Sequence, residues 1–161
     1  AFSKDPDLQR IFELSQVGKA LKVPKVRFST LAQWVQMPNM EEEIEKEGLE
    51  KGAPYAKVWA KKYAPEDEKF SVQKETPKET KKLSKEQKEV LEKISKALIK
   101  KWNGEDFQTR IYDIGKELGL NGKQTFEAIY VSLLGKDYGP KAAWLILSLD
   151  REFVKKRFTS L

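Results

Sequence analysis

The chain has 161 residues, of which 39% are hydrophobic and 35% charged, enough for one compact domain or two small helical subdomains. It contains neither cysteine nor histidine, which excludes disulfides, thiol chemistry, the usual zinc sites and any histidine general base. A net charge of +6 favours a polyanionic partner, although a lysine-rich solvated surface is an equal explanation.

Residues 1–63 carry helical signals and are predicted to form an N-terminal helical subdomain. A first helix is expected to begin at Ser3 or Asp5. Its apolar face consists of Leu8, Ile11, Phe12 and Leu14. Ser29 is predicted to cap a second helix, and Asn39 a third whose early glutamates complement the helix dipole.

Pro54 opens a fourth helix, because the missing N–H of proline costs nothing in a first turn. Tyr55, Val58, Trp59 and Lys62 are spaced so that they lie on one face of this helix. The pattern then fails in residues 64–83, which contain two prolines and few large apolar side chains. This composition predicts a linker or mobile loop.

Residues 84–161 are predicted to form a C-terminal helical subdomain. Ser84 caps a long helix, Phe107 begins the core face of the next helix, and Gly119 ends that helix. The stripe of the long helix consists of Val90, Leu91, Ile94, Ala97, Leu98 and Trp102. No segment of useful length has the period of a strand, so the predicted fold class is all-α, a multi-helix bundle in two helical subdomains.

The next stretch predicts a helix, a tight loop and two more helices. Asn121 or Gly122 caps the first helix, and Gly135 ends it in the left-handed conformation. Pro140 suits the first turn of the second helix, and Asp150 caps the third. The third helix is amphipathic, with Phe153, Val154 and Phe158 inward and Arg151, Lys155, Lys156 and Arg157 outward.

The loop between Gly135 and Pro140 suggests a nucleic-acid contact. It brings Lys136, Tyr138 and Lys141 together. An exposed aromatic ring flanked by lysines offers a face for base stacking beside charges that neutralise phosphate. The alternative is that Tyr138 only fills the loop.

Two further groups extend this hypothesis. The preceding helix carries Lys123, Gln124, Glu127 and Tyr130, which are expected to face the same crevice, although core packing is the default role of the tyrosine. The terminal helix carries Arg151, Lys155, Lys156 and Arg157, which suit contacts to phosphates. A solvated basic face is an equal explanation for this last group.

The run AIYVSLLGKDYGPKAAWLILSLDREFVKKR at residues 128–157 resembles the C-terminal anticodon-binding segment of class I lysyl- and glutamyl-tRNA synthetases. The shared features are a helix ending in LLG, a GP opening the next helix, and an acidic-basic terminal helix. KDPDLQRIFELSQ and VRFSTLAQWVQ are similar to the archaeal-type class I lysyl-tRNA synthetase. The resemblance covers most of the chain and implies a detached C-terminal, helix-cage portion of that enzyme.

The resemblance also implies positions for the anticodon. Bases would approach closely at Gly139, Pro140, Ala142 and Ala143, with Glu127 and Tyr130 opposite. Glutamyl enzymes tend to carry larger apolar residues at the two alanines and often arginine at Tyr130, so the departures favour a uridine-rich lysine anticodon. Weaker candidates for base contacts are Arg110, Trp102 and Phe107.

Catalysis by this chain alone is not expected. The lysine-serine run at Lys93 resembles an ATP-binding signature of class I synthetases, but Ile94 within it belongs to a core stripe. The acidic run from Glu41 to Glu47 is expected to be a solvated helix face. We therefore expect no catalytic residue, no metal site and no cofactor in this chain, with ATP bound only by the missing catalytic part.

The predicted function is anticodon recognition within a lysine–tRNA ligase. The expected partners are a tRNA, of the lysine isoacceptor, and the catalytic domain of the same polypeptide. No apolar run approaches the roughly 20 residues that cross a bilayer, so we expect a cytoplasmic protein with no membrane partner. The alternatives are a glutamyl-type anticodon module and a helical protein-interaction module with an incidental basic surface.

Overall fold

A computed structural model describes residue 6 and residues 26–161. In these residues the chain forms α-helices, one 3-10 helix and no strand, which confirms the all-α prediction. The helix predicted after Ser3 or Asp5 lies outside the described residues. None of the helices in the described range is both long enough and apolar enough to cross a membrane.

Eight α-helices follow one another along the described chain. They are α1 (Phe28–Trp34), α2 (Glu41–Lys46), α3 (Ala53–Lys62), α4 (Lys85–Ala97), α5 (Gly104–Glu117), α6 (Gly122–Leu134), α7 (Ala142–Ser148) and α8 (Arg151–Thr159). The 3-10 helix Lys78–Lys82 precedes α4 and packs on α6. Helix α1 packs on α3, while α4 lies against α5, α6 and α8, and α7 packs on α5, α6 and α8.

Three predicted helix starts are confirmed by their cap hydrogen bonds. The side chains of Ser84, Asn121 and Asp150 each accept a hydrogen bond from a backbone N–H in the first turn of α4, α6 and α8. At Ser84 and Asn121 the cap is reciprocal, because a glutamine three residues later bonds back to the cap N–H. Each cap contributes about 1 kcal/mol. Gly135 ends α6 with φ +69°, as predicted.

Three other predicted starts differ from the structure. Helix α1 begins one residue before Ser29, after Arg27, whose side chain makes no cap bond. Asn39 does not cap α2; it adopts φ +54° and its Nδ2 donates to the Ser148 carbonyl at 2.8 Å. Pro140 precedes the N-cap Lys141 and so lies outside α7.

The buried sides of α3 and α4 also differ from the predicted stripes. Helix α3 turns Ala56 and Ala60 to the core, whereas its larger apolar residues Tyr55 and Val58 are exposed. Helix α4 ends at Ala97, so the long stripe is interrupted before Trp102. The indole of Trp102 turns back and donates its N–H to the carbonyl of Ala97 at 2.8 Å, which satisfies a helix-end acceptor.

One connected core serves both ends of the described chain. Apolar side chains of α1, α2 and α3, and of the loop between α1 and α2, belong to the same cluster as those of α4 to α8. The N-terminal members are Leu31, Trp34, Met37, Met40, Ile44 and Ala56. The bond from Asn39 to Ser148 links the two parts as well.

The segment predicted as a linker makes specific contacts. The Gln73 N–H donates to the Leu133 carbonyl of α6 at 2.8 Å, and Phe70 and Val72 pack against the core. On the other side, the Gln36 amide bonds to the backbone of the same segment, at Glu68 and Phe70. The division into residues 1–63, 64–83 and 84–161 itself stays a prediction.

Candidate nucleic-acid interface

The connection between α6 and α7 forms one wall of an open cleft of about 400 Å³, which we call the loop cleft. The other walls come from α6, the 3-10 helix and the start of α4. The lining consists of Glu79, Lys82, Leu83, Gln87, Glu127, Val131, Gly135, Lys136, Asp137 and Tyr138. The structure thus brings together three predicted site residues, Glu127, Lys136 and Tyr138.

Tyr138 presents an aromatic ring to solvent at the edge of this cleft. Its side chain is 43% exposed, and the ammonium of Lys136 lies 5.4 Å from the ring centroid. The same ammonium donates to the carbonyls of Lys69 at 2.7 Å and Glu66 at 3.2 Å. Two hydrogen bonds thus hold the cation beside the ring, and the exposed part of the ring remains open to a stacking partner.

The remaining polar residues of α6 have different roles. Glu127 is half-buried in the cleft wall. Gln124 is exposed, but its side-chain oxygen accepts from the Asn121 N–H and its carbonyl accepts from Gln87 at 3.0 Å, so it maintains the start of α6. Lys123 is exposed and does not line the cleft.

The inner side of the α6–α7 connection is packed and hydrogen-bonded. The hydroxyl of Tyr130 donates to the Pro140 carbonyl at 2.6 Å, and burial raises the pKa of Tyr130 to about 12. A Cβ on Gly139 would lie 2.7 Å from Leu134 Cδ1 and 2.8 Å from Tyr130 Cδ1. Gly139 is therefore required by packing against α6, which accounts for its size without a bound base.

The residues expected to let a base approach at the start of α7 are covered. Pro140, Ala142 and Ala143 are all buried, contrary to that expectation. The N–H of Ala143 is satisfied by the side-chain oxygen of Gln108 on α5 at 3.0 Å. This N–H group therefore already has an acceptor within the protein and is not available to bind an anion at the start of α7.

Lys141 points towards a second depression, the tryptophan groove, which has a volume of about 1000 Å³. Its ammonium lies 4.7 Å from the centroid of the Trp144 ring, and Trp102 lines the same groove. The carboxylates there outnumber the cations. The acids are Glu42, Glu43, Glu47, Glu105 and Asp106, and the cations are Arg27, Lys46 and Lys141. This balance disfavours a phosphate backbone.

Helix α8 divides its four basic residues between solvent and core. Arg151 and Lys156 are exposed, and Lys155 is half-buried with its ammonium 2.8 Å from a carboxylate oxygen of Glu152. The prediction that Arg157 faces outward is wrong, because its side chain is only 5% exposed. The core accepts this cation because three backbone carbonyls surround it.

Those three carbonyls belong to two separate parts of the chain. The Arg157 guanidinium donates to Ser132 at 2.7 Å, Gln73 at 2.9 Å and Lys74 at 2.8 Å. Burial lowers the pKa of Arg157, but a guanidinium remains charged in proteins. Arg157 therefore fastens α6 and the 64–83 segment to α8.

The weaker candidates for base contacts are occupied within the protein. Arg110 lies 2.7 Å from Glu117 and lowers the pKa of that carboxyl through the hydrogen bond. Phe107 is fully buried, and its ring lies 5.5 Å from that of Trp102. Over the described residues, no group of three or more acidic side chains is arranged to hold a metal ion.

Sequence reasoning missed the wall opposite Tyr138. Glu79 and Lys82 come from the 3-10 helix, and Gln87 from the first turn of α4. The only sign of this wall in the sequence is the pair Lys81 and Lys82, shortly before Ser84. The prediction of a linker over residues 64–83 assigns these lysines to no site.

A family model described as an anticodon binding domain matches residues 13–161. The chain is 34% identical to a lysine–tRNA ligase of Archaeoglobus fulgidus over 72% of its own length and 23% of that protein. It is 31% identical to that of Pyrococcus horikoshii, over 95% of the chain and 33% of the relative. It is 30% identical to the lysine–tRNA ligase of Thermoplasma acidophilum, over 99% of the chain and 34% of the relative. The chain thus spans about a third or less of these relatives.

Proposed function

Because this chain belongs to the anticodon-binding domain family and is similar to archaeal lysine–tRNA ligases, we propose that it binds the anticodon loop of a tRNA in the loop cleft. The observation that carries the proposal is the exposed Tyr138 ring, with the Lys136 ammonium beside it and the Glu127 carboxylate in the α6 wall of the same cleft. Proteins that bind single-stranded RNA loops use this combination of stacking face and charge.

In this arrangement Tyr138 stacks on one unpaired base. Stacking of a base on an aromatic side chain contributes about 1–3 kcal/mol, and it tolerates any base. Selection among bases then requires polar groups at the base edge. Uracil presents one N–H donor between two carbonyl acceptors, and the carboxylate of Glu127 is an acceptor for that N–H. Lys82, exposed at the rim, suits a neighbouring phosphate.

The rest of the proposal concerns the longer protein. A lysine tRNA is the proposed partner, since the relatives are lysine–tRNA ligases. The proposed catalytic domain lies in the part of the polypeptide that this chain does not span, and ATP binds there. Such a ligase acts in the cytoplasm, where tRNA is charged.

A binding titration at one salt concentration tests the proposal. It compares a lysine tRNA transcript with the same transcript carrying a changed middle anticodon base. We expect clear preference for the lysine anticodon. Equal weak binding to both transcripts would mean that the chain binds RNA only through its positive charge, without reading the anticodon. No binding to either would favour a protein-interaction module.

The Tyr138→Ala variant locates the site. We expect it to lower affinity roughly 5- to 150-fold, the equivalent of one stacked base. It should also erode the anticodon preference, because a base that is no longer stacked is not held beside the Glu127 carboxylate. Tyr112→Ala is a matched control, because Tyr112 on α5 is 44% exposed and has Lys116 over its ring at 5.7 Å, yet lies outside the loop cleft. Equal effects of both substitutions would exclude a stacking role for Tyr138.

A further inference from the structure

The outer side of α3 carries aromatic residues alternating with lysines. Only the small residues Ala56 and Ala60 of this helix are buried. The exposed set, which we call the tyrosine–lysine face, consists of Tyr55, Lys57, Val58, Lys61, Lys62 and the C-cap residue Tyr63. Tyr55 is 76% and Tyr63 70% exposed. Large apolar side chains left in water over a contiguous patch mark an interaction surface.

The charge of this face is uniform. Helix α3 has three lysines and no acidic residue. Across the described chain, the ion pairs involve none of these lysines. By contrast, the lysines of α4 alternate with Glu86, Glu89 and Glu92, and Lys93 there lies 3.8 Å from Glu89. The lysines of α3 are thus not compensated by their own helix and favour an anionic partner.

The face is connected to the loop cleft. Helix α3 ends at Lys62, and residues 64–69 lead from it to the carbonyls of Glu66 and Lys69, which hold the Lys136 ammonium. Lys136 is in turn the cation beside Tyr138. An RNA strand held at Tyr138 therefore lies next to the segment that follows α3.

We infer that the tyrosine–lysine face is a second RNA-binding surface, which contacts the sugar–phosphate backbone of the tRNA outside the anticodon. The inference rests on the proposed function for its partner. Lysines neutralise phosphates without sequence preference, and the tyrosines supply apolar area and hydroxyl groups next to the backbone. The surface adds affinity for every tRNA and no discrimination among anticodons.

The test uses the 161-residue chain and two triple variants that remove the same charge. One carries Lys57→Gln, Lys61→Gln and Lys62→Gln. The control carries Lys96→Gln, Lys100→Gln and Lys101→Gln, which lie exposed at the end of α4 and just beyond it. Affinity is measured over a series of salt concentrations, for the lysine transcript and for the transcript with the changed anticodon base.

We expect the α3 variant to weaken both transcripts by the same factor, roughly tenfold or more, with an unchanged ratio between them. The steepness of log affinity against log salt should decrease by about 2–3, as expected for three lost phosphate contacts, and the control should change it less. A double variant, Tyr55→Ser with Tyr63→Ser, should weaken both transcripts as well, at an unchanged slope.

Each outcome separates this inference from the proposed function. If the α3 and α4 variants bind alike while Tyr138→Ala removes the anticodon preference, the second surface is wrong and the anticodon site stands; a protein partner on α3 would give this result. If the α3 variant weakens two transcripts that the parent chain binds equally, the second surface stands and the anticodon site fails.

Discussion

Two sides of the C-terminal half use the same residue types in opposite ways. On the buried side, Tyr130 and Arg157 donate hydrogen bonds to backbone carbonyls. On the exposed side, Tyr138 and Lys156 present the same kinds of group to solvent. The difference is one of available partners, since a buried polar group must be satisfied within the protein whereas an exposed one stays available to a ligand.

The buried side shapes the cleft, whereas the exposed side is left available to the proposed ligand. Arg157 holds the 64–83 segment against α6, and that segment includes the 3-10 helix of the cleft wall. Tyr130 and Gly139 fix the path of the chain beside Tyr138. Substitutions on the buried side should therefore change stability, and those on the exposed side should change binding alone.

The largest stability effect is expected for Arg157→Met. The substitution leaves the carbonyls of Ser132, Gln73 and Lys74 without their donor, and each hydrogen bond to a charged group contributes about 1.5–3 kcal/mol. The measurement is the free energy of unfolding by urea denaturation. Lys156→Met on the same helix is the control and should stay within about 0.5 kcal/mol of the parent. Similar losses in both variants would contradict the comparison.

An intermediate effect is expected for Gly139→Ala. The new Cβ overlaps Leu134 and Tyr130, at 2.7 and 2.8 Å, and such overpacking costs about 1–3 kcal/mol. The neighbouring exposed substitution Asp137→Ala serves as the control in the same denaturation experiment. If Gly139→Ala retained full stability but lost tRNA binding, the glycine would belong to the ligand site rather than to the packing.

The smallest stability effect is expected for Tyr130→Phe, which removes one hydrogen bond and costs about 1 kcal/mol at neutral pH. Its pH dependence is more informative. The pKa of Tyr130 is raised to about 12 from an ordinary value of 10, so above pH 10 the folded state binds more protons than the unfolded state. This contribution to stability is complete below pH 10 and is lost as the pH rises towards 12.

Unfolding free energies of the parent chain and Tyr130→Phe between pH 9 and 12 measure that loss. The advantage of the parent chain should shrink as the pH rises above 10 and then reverse, because two pKa units correspond to about 2.7 kcal/mol, more than the one hydrogen bond contributes. Tyr138→Phe, at an exposed tyrosine, should show no such convergence with the parent. A constant difference for Tyr130→Phe across this range would mean that the hydroxyl is not buried as the structure places it.

What the sequence could predict was local. The caps at Ser84, Asn121 and Asp150 and the left-handed Gly135 depend on residues within one turn, and all four were predicted. The exposed Tyr138 was also within reach, because a loop between a helix-ending glycine and a proline shows in the residue pattern.

What the sequence could not predict depends on distant partners. The carbonyls that accept from Arg157 come from residues 25, 83 and 84 positions away. Helical spacing places position 157 on the same face as Phe153 and Val154, but the charge of arginine favours the surface when those distant partners are unknown. Residues 64–83 have no periodicity because their contacts are backbone hydrogen bonds to α6 and α8. The cleft wall opposite Tyr138 was missed for the same reason.

The hydrogen bonds of Arg157 also determine when the loop cleft can be completed during synthesis of the chain. Gln73 and Lys74 leave the ribosome 84 and 83 residues before the arginine that holds their carbonyls. Contacts of such separation in sequence form late, because a long loop must close first. Before α8 exists, the segment can contact α6 through the Gln73 N–H and the 3-10 helix, but the carbonyls of Gln73 and Lys74 lack their donor. The cleft wall is completed only when α8 has been synthesised, so a chain truncated before α8 is expected to lack a finished binding site.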